Sequence, residues 1–172
     1  LLRFLNTFLK GQIMSKCEKE ILLKEFASWL DFVEQIDESI WDKLLGEGKW
    51  AVCDVVSHIL LWDKYFYEEA IKPIAEEKPV TVEHLDFDLF NQEAREFAKT
   101  KTNHELAELA KEYRKCIINS IQEQPAEKFT RQYKDAQGNN FVIENYLKDF
   151  IWHDQHHMKQ IAEIGKKSRI GL

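Results

Sequence analysis

Glycine and proline are scarce in this chain, 6 and 3 of its 172 residues. So few turn formers exclude an all-β fold, which needs tight turns at short intervals, and favour long uninterrupted helices. Cysteine is scarce as well. Cys17, Cys53 and Cys116 are odd in number, widely scattered and never paired as CxxC, which excludes a disulfide framework and suits free thiols in a reducing compartment. No apolar run approaches the length needed to span a bilayer. Positive charge is not in excess either: the net charge is −6 with histidine neutral, so there is no electrostatic footprint for nucleic acid. These absences lead us to expect a cytoplasmic protein with no nucleic-acid and no membrane partner.

What is present is ordinary for a folded domain: 44% apolar and 31% charged residues in a chain long enough for one core. The opening stretch, LLRFLNTFLKGQI, lacks a small-x-small cleavage site and runs into Met14-Ser15-Lys16, which reads as a natural start. Residues 1–13 are therefore expected to be an N-terminal extension, vector-derived or upstream of the natural start. The alternative is a short amphipathic helix docking on the body or on a neighbouring subunit. Residues 14–172 are expected to form one bundle domain.

Ile21, Leu22, Phe26, Trp29, Leu30, Val33 and Ile36 recur at three- and four-residue intervals, the signature of an amphipathic helix over Cys17–Ile36. IWDKLL reads as a short helical turn, and Gly46-Glu47-Gly48 as a breaker. A second helix is expected from about Trp50 to Ile71, stopping before Pro73. IAEEKPVTVEHLD reads as an irregular crossing. Asp86 or Asp88 is placed to cap a helix through Phe90, Ala94, Phe97 and Ala98. Thr102 and Glu105 have the capping-box spacing and open another helix, ending near Gln124-Pro125. KFTRQYKDAQGNNFV is hairpin-like, with Gly138-Asn139 at its turn. A last helix is expected over about Val142–Ile164, capped by Gly165. The fold class expected is all-α: four long amphipathic helices with one long crossover connection, a four-helix bundle.

WHDQHHMKQI, residues 152–161, holds three of the six histidines. At about 100° per residue, Ile143, Leu147, Phe150, Ile151, Met158 and Ile161 define one face of the last helix. His157 falls on that face and His153 at its edge, one turn apart, while His156 points away and is expected to be solvated. An i,i+4 histidine pair can present two imidazoles to one metal ion, but it needs a third ligand from another helix. His58 in DVVSHILLWDKYF lies inside the apolar arc of the second helix. Three neutral imidazoles with open positions form a catalytic-type zinc environment, and imidazole also suits nickel, copper and iron. A single inward histidine is more often a hydrogen-bonded core residue. His84 and His104 sit in a loop and at a helix start, where a structural reading is preferred. Asp154 also falls on the apolar face; it could orient a ligand histidine, pair with a lysine or arginine, or sit at a flared end of the bundle. Trp62, Tyr65, Tyr67 and Trp152 could wall an aromatic pocket, although aromatics at helical spacing are more often core.

Taken together, a tryptophan opening the second helix, the inward histidine in VSHILLW, the segment DFDLFNQEAREFA and a last helix with H-x-x-x-H-x-x-Q-I (His153, His157, Gln160, Ile161) resemble the DinB/YfiT-like family from Met14 onward. The resemblance implies a four-helix bundle with an atypical order of helix directions, commonly a homodimer. It also implies a divalent metal ion, nickel or zinc, on His58, His153 and His157. Relatives act as metal-dependent hydrolases, or as transferases using a low-molecular-weight thiol such as bacillithiol or mycothiol as co-substrate. Two readings follow. One is an enzyme acting on a small-molecule substrate, a thiol S-transferase or hydrolase whose nucleophile comes from outside the chain. The other is a non-catalytic, stress-related bundle that binds a metal or ligand, and a closed site with a fourth protein ligand would favour it.

Overall fold

The computed structural model describes the backbone from Leu2 to Arg169 and the side chains of residues 16–168. Its elements are α1 (Leu2–Glu34), a 3₁₀ turn (Glu38–Ile40), α2 (Val52–Phe66), a π turn (Tyr67–Ile71), α3 (Lys72–Ala75), α4 (Phe87–Ala98), α5 (Asn103–Glu123), α6 (Ala126–Thr130), a small antiparallel pair β1 (Tyr133–Lys134) and β2 (Asn140–Phe141), and α7 (Ile143–Arg169). Residues 2–13 belong to the backbone of α1; how their side chains pack, and so the docking expected of them, lies outside the described residues.

Helices α1, α2, α5 and α7 form the bundle. In it α1 packs on α5 and α7, α2 packs on α5, and the contact between α2 and α7 is the thinnest. The apolar stripes meet in two clusters, one at each end. Leu22 and Phe26 of α1, Ile71 beyond α2, Ile117 and Ile121 of α5, and Leu147 and Ile151 of α7 build the first. Trp29 and Val33, Val52 to Leu60, Leu106 and Ala110, and Ile161 build the second. Each helix crosses the two clusters in a definite order, which fixes its direction. α1 and α7 run from the first cluster to the second, while α2 and α5 run from the second to the first. The order is up-down-down-up. Because α2 and α5 are parallel neighbours, the chain between them must return the full length of the bundle, and this is the long crossover that carries α4.

The sequence-based boundaries shift at four places. The first helix, expected over Cys17–Ile36, starts at Leu2 and ends at Glu34. The helical turn near IWDKLL lies earlier, at Glu38–Ile40, where Asp37 accepts a hydrogen bond from the Ser39 N–H at 2.9 Å. The second helix does not stop before Pro73 but continues through it. Proline at that position leaves the carbonyl of Glu69 without its i+4 donor, and the Thr81 N–H supplies one at 2.9 Å. A π turn just before the proline accommodates the change of register. Gly165 does not end α7 either; the helix passes it with Ile161 buried and Ile164 packed on the second cluster, and Gly165 lies against Ile40. The remaining signals hold. Asp86 caps α4 by accepting from the N–H groups of Asp88 and Leu89. Thr102 and Glu105 form the capping box of α5, and Gly138 takes a positive φ of 85° in the hairpin turn. No helix among the described residues is long and apolar enough to cross a membrane.

Candidate metal centre

Between the two apolar clusters lies a charged layer. Arg114 of α5 is fully buried, as is Asp63 of α2, and Asp154 of α7 is 3% exposed. The guanidinium takes Asp63 side-on, Nε to Oδ2 at 2.8 Å and Nη2 to Oδ1 at 3.1 Å. Its Nη1 donates to Asp154 Oδ2 at 2.5 Å and to the Phe26 carbonyl at 2.9 Å. The planar cation also lies 3.7 Å from the Phe26 ring centroid, a stacked geometry that suits arginine. One cation faces two carboxylates. Burial pushes Asp63 up to about 7 against the pull of Arg114. Burial raises Asp154 too, but Arg114 and His153 outweigh it and hold that carboxyl below its ordinary value.

The histidines stand beside this layer, where α2 and α7 separate. Helical spacing puts His153 and His157 one turn apart on α7, ring centroids 4.6 Å from each other, and α2 brings His58 opposite, 5.1 and 5.4 Å from them. The Nε2 atoms of His58 and His153 are 3.0 Å apart. One ligating atom from each of the three rings lies within 4.8 Å of the others, and no fourth histidine, cysteine or carboxylate joins the group among the described residues. Burial, then the neighbouring rings, depresses His58 to about 3; burial and His153 depress His157 to about 4. Both rings are therefore neutral at physiological pH, with lone pairs available. His156 is exposed and stacks on Trp152, as its bearing on the helix implied.

The outer nitrogens test whether a cation fits. His157 Nδ1 is 3.0 Å from Gln160 Oε1, which fixes Nδ1 as the protonated atom and frees Nε2. His153 Nδ1 is 3.9 Å from Asp154 Oδ1, and both atoms are buried and otherwise unpartnered. Asn91 of α4 shares the cavity wall with His58, and its Oδ1 and His58 Nδ1 are both buried without a hydrogen-bond partner. Protons on these Nδ1 atoms would serve the waiting oxygens, but would leave two Nε2 lone pairs facing each other at 3.0 Å. A divalent cation resolves that repulsion. Nitrogens bound at 2.0–2.1 Å in a tetrahedron stand about 3.3 Å apart, between the closest pair and the outer limit here. The donor set therefore fits a divalent ion.

Asp154, for which several roles were open, pairs with Arg114 and stands behind His153 at the same time; it does not join the ligand group. Sequence reasoning missed Arg114, Asp63 and Asn91. The signal for Arg114 was its place in the apolar stripe of α5, between Ala110 and Ile117.

Two cavities open on the centre. The larger, about 620 Å³, has His58 and His153 among its walls together with Trp62, Tyr65, Phe66 and Trp152. Three of the four aromatics weighed for a pocket thus line one, while Tyr67 turns instead to Tyr113. His84, read as structural, also stands in this cavity. The smaller, about 370 Å³, reaches His157 and Gln160 and carries Lys49, Lys167 and Glu163.

Fold and site define a helical bundle that gathers three imidazoles at an open cavity. The chain belongs to the DinB superfamily, whose profile matches residues 22–161. Among solved structures it resembles YfiT from Bacillus subtilis, described as a probable metal-dependent hydrolase with an unusual four-helix bundle topology. The TM-score is 0.65 at 22% sequence identity, over 91% of this chain and 87% of that one. At that identity the likeness concerns the fold. No curated protein matches the chain.

Proposed function

We propose that this protein is a metal-dependent hydrolase of small organic molecules, with nickel or zinc held by His58, His153 and His157. One observation carries the reading: three neutral imidazoles converge, without a fourth protein ligand among the described residues, at the edge of a cavity large enough for a substrate. A closed site would have favoured a structural metal. A divalent ion there would supply Lewis acidity and lower the pKa of water toward neutrality. The chain's own residues would do the rest. Asn91, Asp154 and Gln160 orient the three rings, Arg114 holds Asp154 in place, and the aromatic wall excludes bulk water. The scattered cysteines and the net charge of −6 support a cytoplasmic enzyme without a nucleic-acid partner, and the family resemblance a homodimer.

The smaller cavity favours a second reading, transfer of a low-molecular-weight thiol. Lys49 and Lys167 suit the carboxylates of a thiol such as bacillithiol, delivered on the His157 side while an acceptor occupies the larger cavity. One experiment separates the two. Protein loaded with zinc or nickel is offered aryl esters and amides, then electrophiles with and without thiol. Hydrolysis that chelation stops and His157→Ala removes supports the first reading. Turnover only when thiol is added moves the assignment to the second. No metal-dependent turnover in either arm would return the bundle to a non-catalytic binding role.

A further inference from the structure

The larger cavity carries a charge pattern that neither the histidines nor the fold requires. Its walls are aromatic, Trp62, Tyr65, Phe66, Phe87, Phe150 and Trp152, and among the described residues its only charged lining is two carboxylates, Glu83 and Asp149. Among the described residues no lysine or arginine lines it, although the chain has 24 of them. An adjoining recess extends the same sign outward, with Asp86 and Asp88 beside His84 and Phe87. The smaller cavity, by contrast, presents two lysines against one glutamate. The asymmetry therefore belongs to this cavity and is not imposed on it by the net charge of the chain.

The segment that carries Glu83 is held in place. The Tyr65 hydroxyl donates to the Glu83 carbonyl at 3.1 Å and accepts from the Glu83 N–H at 2.9 Å. The next N–H, that of His84, donates to Gln137 Oε1 in the hairpin loop at 3.1 Å. The crossover is thus tied to α2 on one side and to the hairpin on the other, with the backbone of Glu83 held against Tyr65. Asp149 faces the same space from α7, one turn before His153.

Aromatic faces carry negative quadrupoles and attract cations, and carboxylates at the mouth add a longer-ranged attraction. Away from the histidines, an anionic group would meet neither a lysine or arginine among the described lining residues nor a favourable field. We infer that the larger cavity selects an organic cation: a small aromatic or alkyl amine whose ammonium group lies toward Glu83 and Asp149 and whose uncharged end lies toward His58 and His153. This specifies the substrate class of the proposed hydrolase and rests on reading the cavity as its substrate site. A bipolar ligand is required, because a cation placed directly against a divalent ion would be repelled. An amide or ester that bears an amine at its far end meets that requirement.

The test uses three probes that share one skeleton: 4-phenylbutylamine, 4-phenylbutan-1-ol and 4-phenylbutyrate. Their binding to the metal-free full chain is followed by quenching of tryptophan fluorescence, Trp62 and Trp152 being in the cavity wall. The amine is expected to bind at least about tenfold more tightly than the carboxylate, with the alcohol between them and the spread shrinking as salt is raised. In the Glu83→Gln/Asp149→Asn variant the alcohol should bind as before and the preference for the amine should collapse. A zinc titration of the same variant, unchanged from wild type, would show that the fold is intact. Equal or tighter binding of the carboxylate, a preference that survives the double substitution, or no binding of any probe would overturn the inference. Because the probes are read without metal, failure here is distinct from failure of the metal centre, which the zinc titration reports by itself.

Discussion

A histidine presents one nitrogen to a metal reliably only when the other is occupied, and here a side-chain oxygen stands near each ring, hydrogen-bonded at His157 alone. Gln160 serves His157 from one turn along the same helix. Asp154 stands behind His153 and is itself held by Arg114, and Asn91 reaches His58 from α4. Removing such an outer partner costs about 10–100-fold in metal affinity. We therefore expect Gln160→Ala and Asp154→Asn each to weaken zinc by that order in competition titrations, and His156→Ala to leave it unchanged. Arg114 raises a separate question of stability. Arg114→Met would strand two buried carboxylates and should cost about 3–5 kcal/mol in urea unfolding. Adding Asp63→Leu and Asp154→Leu to it should recover most of that loss while zinc affinity stays low. The two effects would then be separated: the charged layer specifies the site, and the apolar clusters carry the stability. The i,i+4 spacing made His153 and His157 legible in the sequence, and the bearing of His58 on its helix supplied the third ring. Arg114 and Asp63 were not legible as partners, because each is only one charge in an apolar stripe and their pairing spans 51 positions of the chain.

At the scale of elements, α4 decides whether the site forms. It belongs to the crossover, outside the bundle proper, and docks on α2 through small residues. Ala94 is fully buried, and the Ser57 hydroxyl donates to its carbonyl at 2.6 Å. That close approach sets Asn91, one turn earlier, in the same cavity wall as His58 and brings Phe90 to 4.1 Å from Trp62 between ring centroids. Ala94→Leu should therefore overpack the contact by about 1–3 kcal/mol and also weaken zinc by displacing Asn91; unchanged zinc affinity would detach α4 from the site. Helix starts were legible because caps are local: Asp86, Thr102 and Glu105 act on N–H groups within three residues. Helix ends were less so. Pro73 and Gly165 are breakers by local propensity, but the distant Thr81 N–H in one case and flanking core residues in the other keep the helix going.

For the whole molecule, the up-down-down-up order leaves α2 and α7 the least tightly packed neighbours, and the histidines occupy that gap. The long crossover was visible in the sequence as an irregular stretch containing Pro79, but helix directions were not, since they depend on which stripes meet. The same placement makes stability depend on pH. His58 and His157 stay neutral in the folded state down to about 3 and about 4, whereas unfolded histidines take up protons near their ordinary value of 6.5. The unfolded chain then binds more protons, so this part of the stability is full above about pH 6.5 and is lost as the pH falls toward 4. Asp63, raised to about 7, works in the opposite sense. Two rings against one carboxyl leave a net loss on the order of 1.4 kcal/mol per pH unit in the metal-free protein. Urea midpoints at pH 7 and pH 5 should show that loss, and a His58→Ala/His157→Ala variant should flatten or reverse it.

The most direct test of the central claim is a zinc titration of the metal-free protein by calorimetry, with His58→Ala measured alongside. The expected result is one tight site per chain, lost in the variant while its helical content is unchanged. No tight site in the wild type, or equal affinity in both proteins, would contradict the account and return His58, His153 and His157 to a hydrogen-bonded cluster of the core.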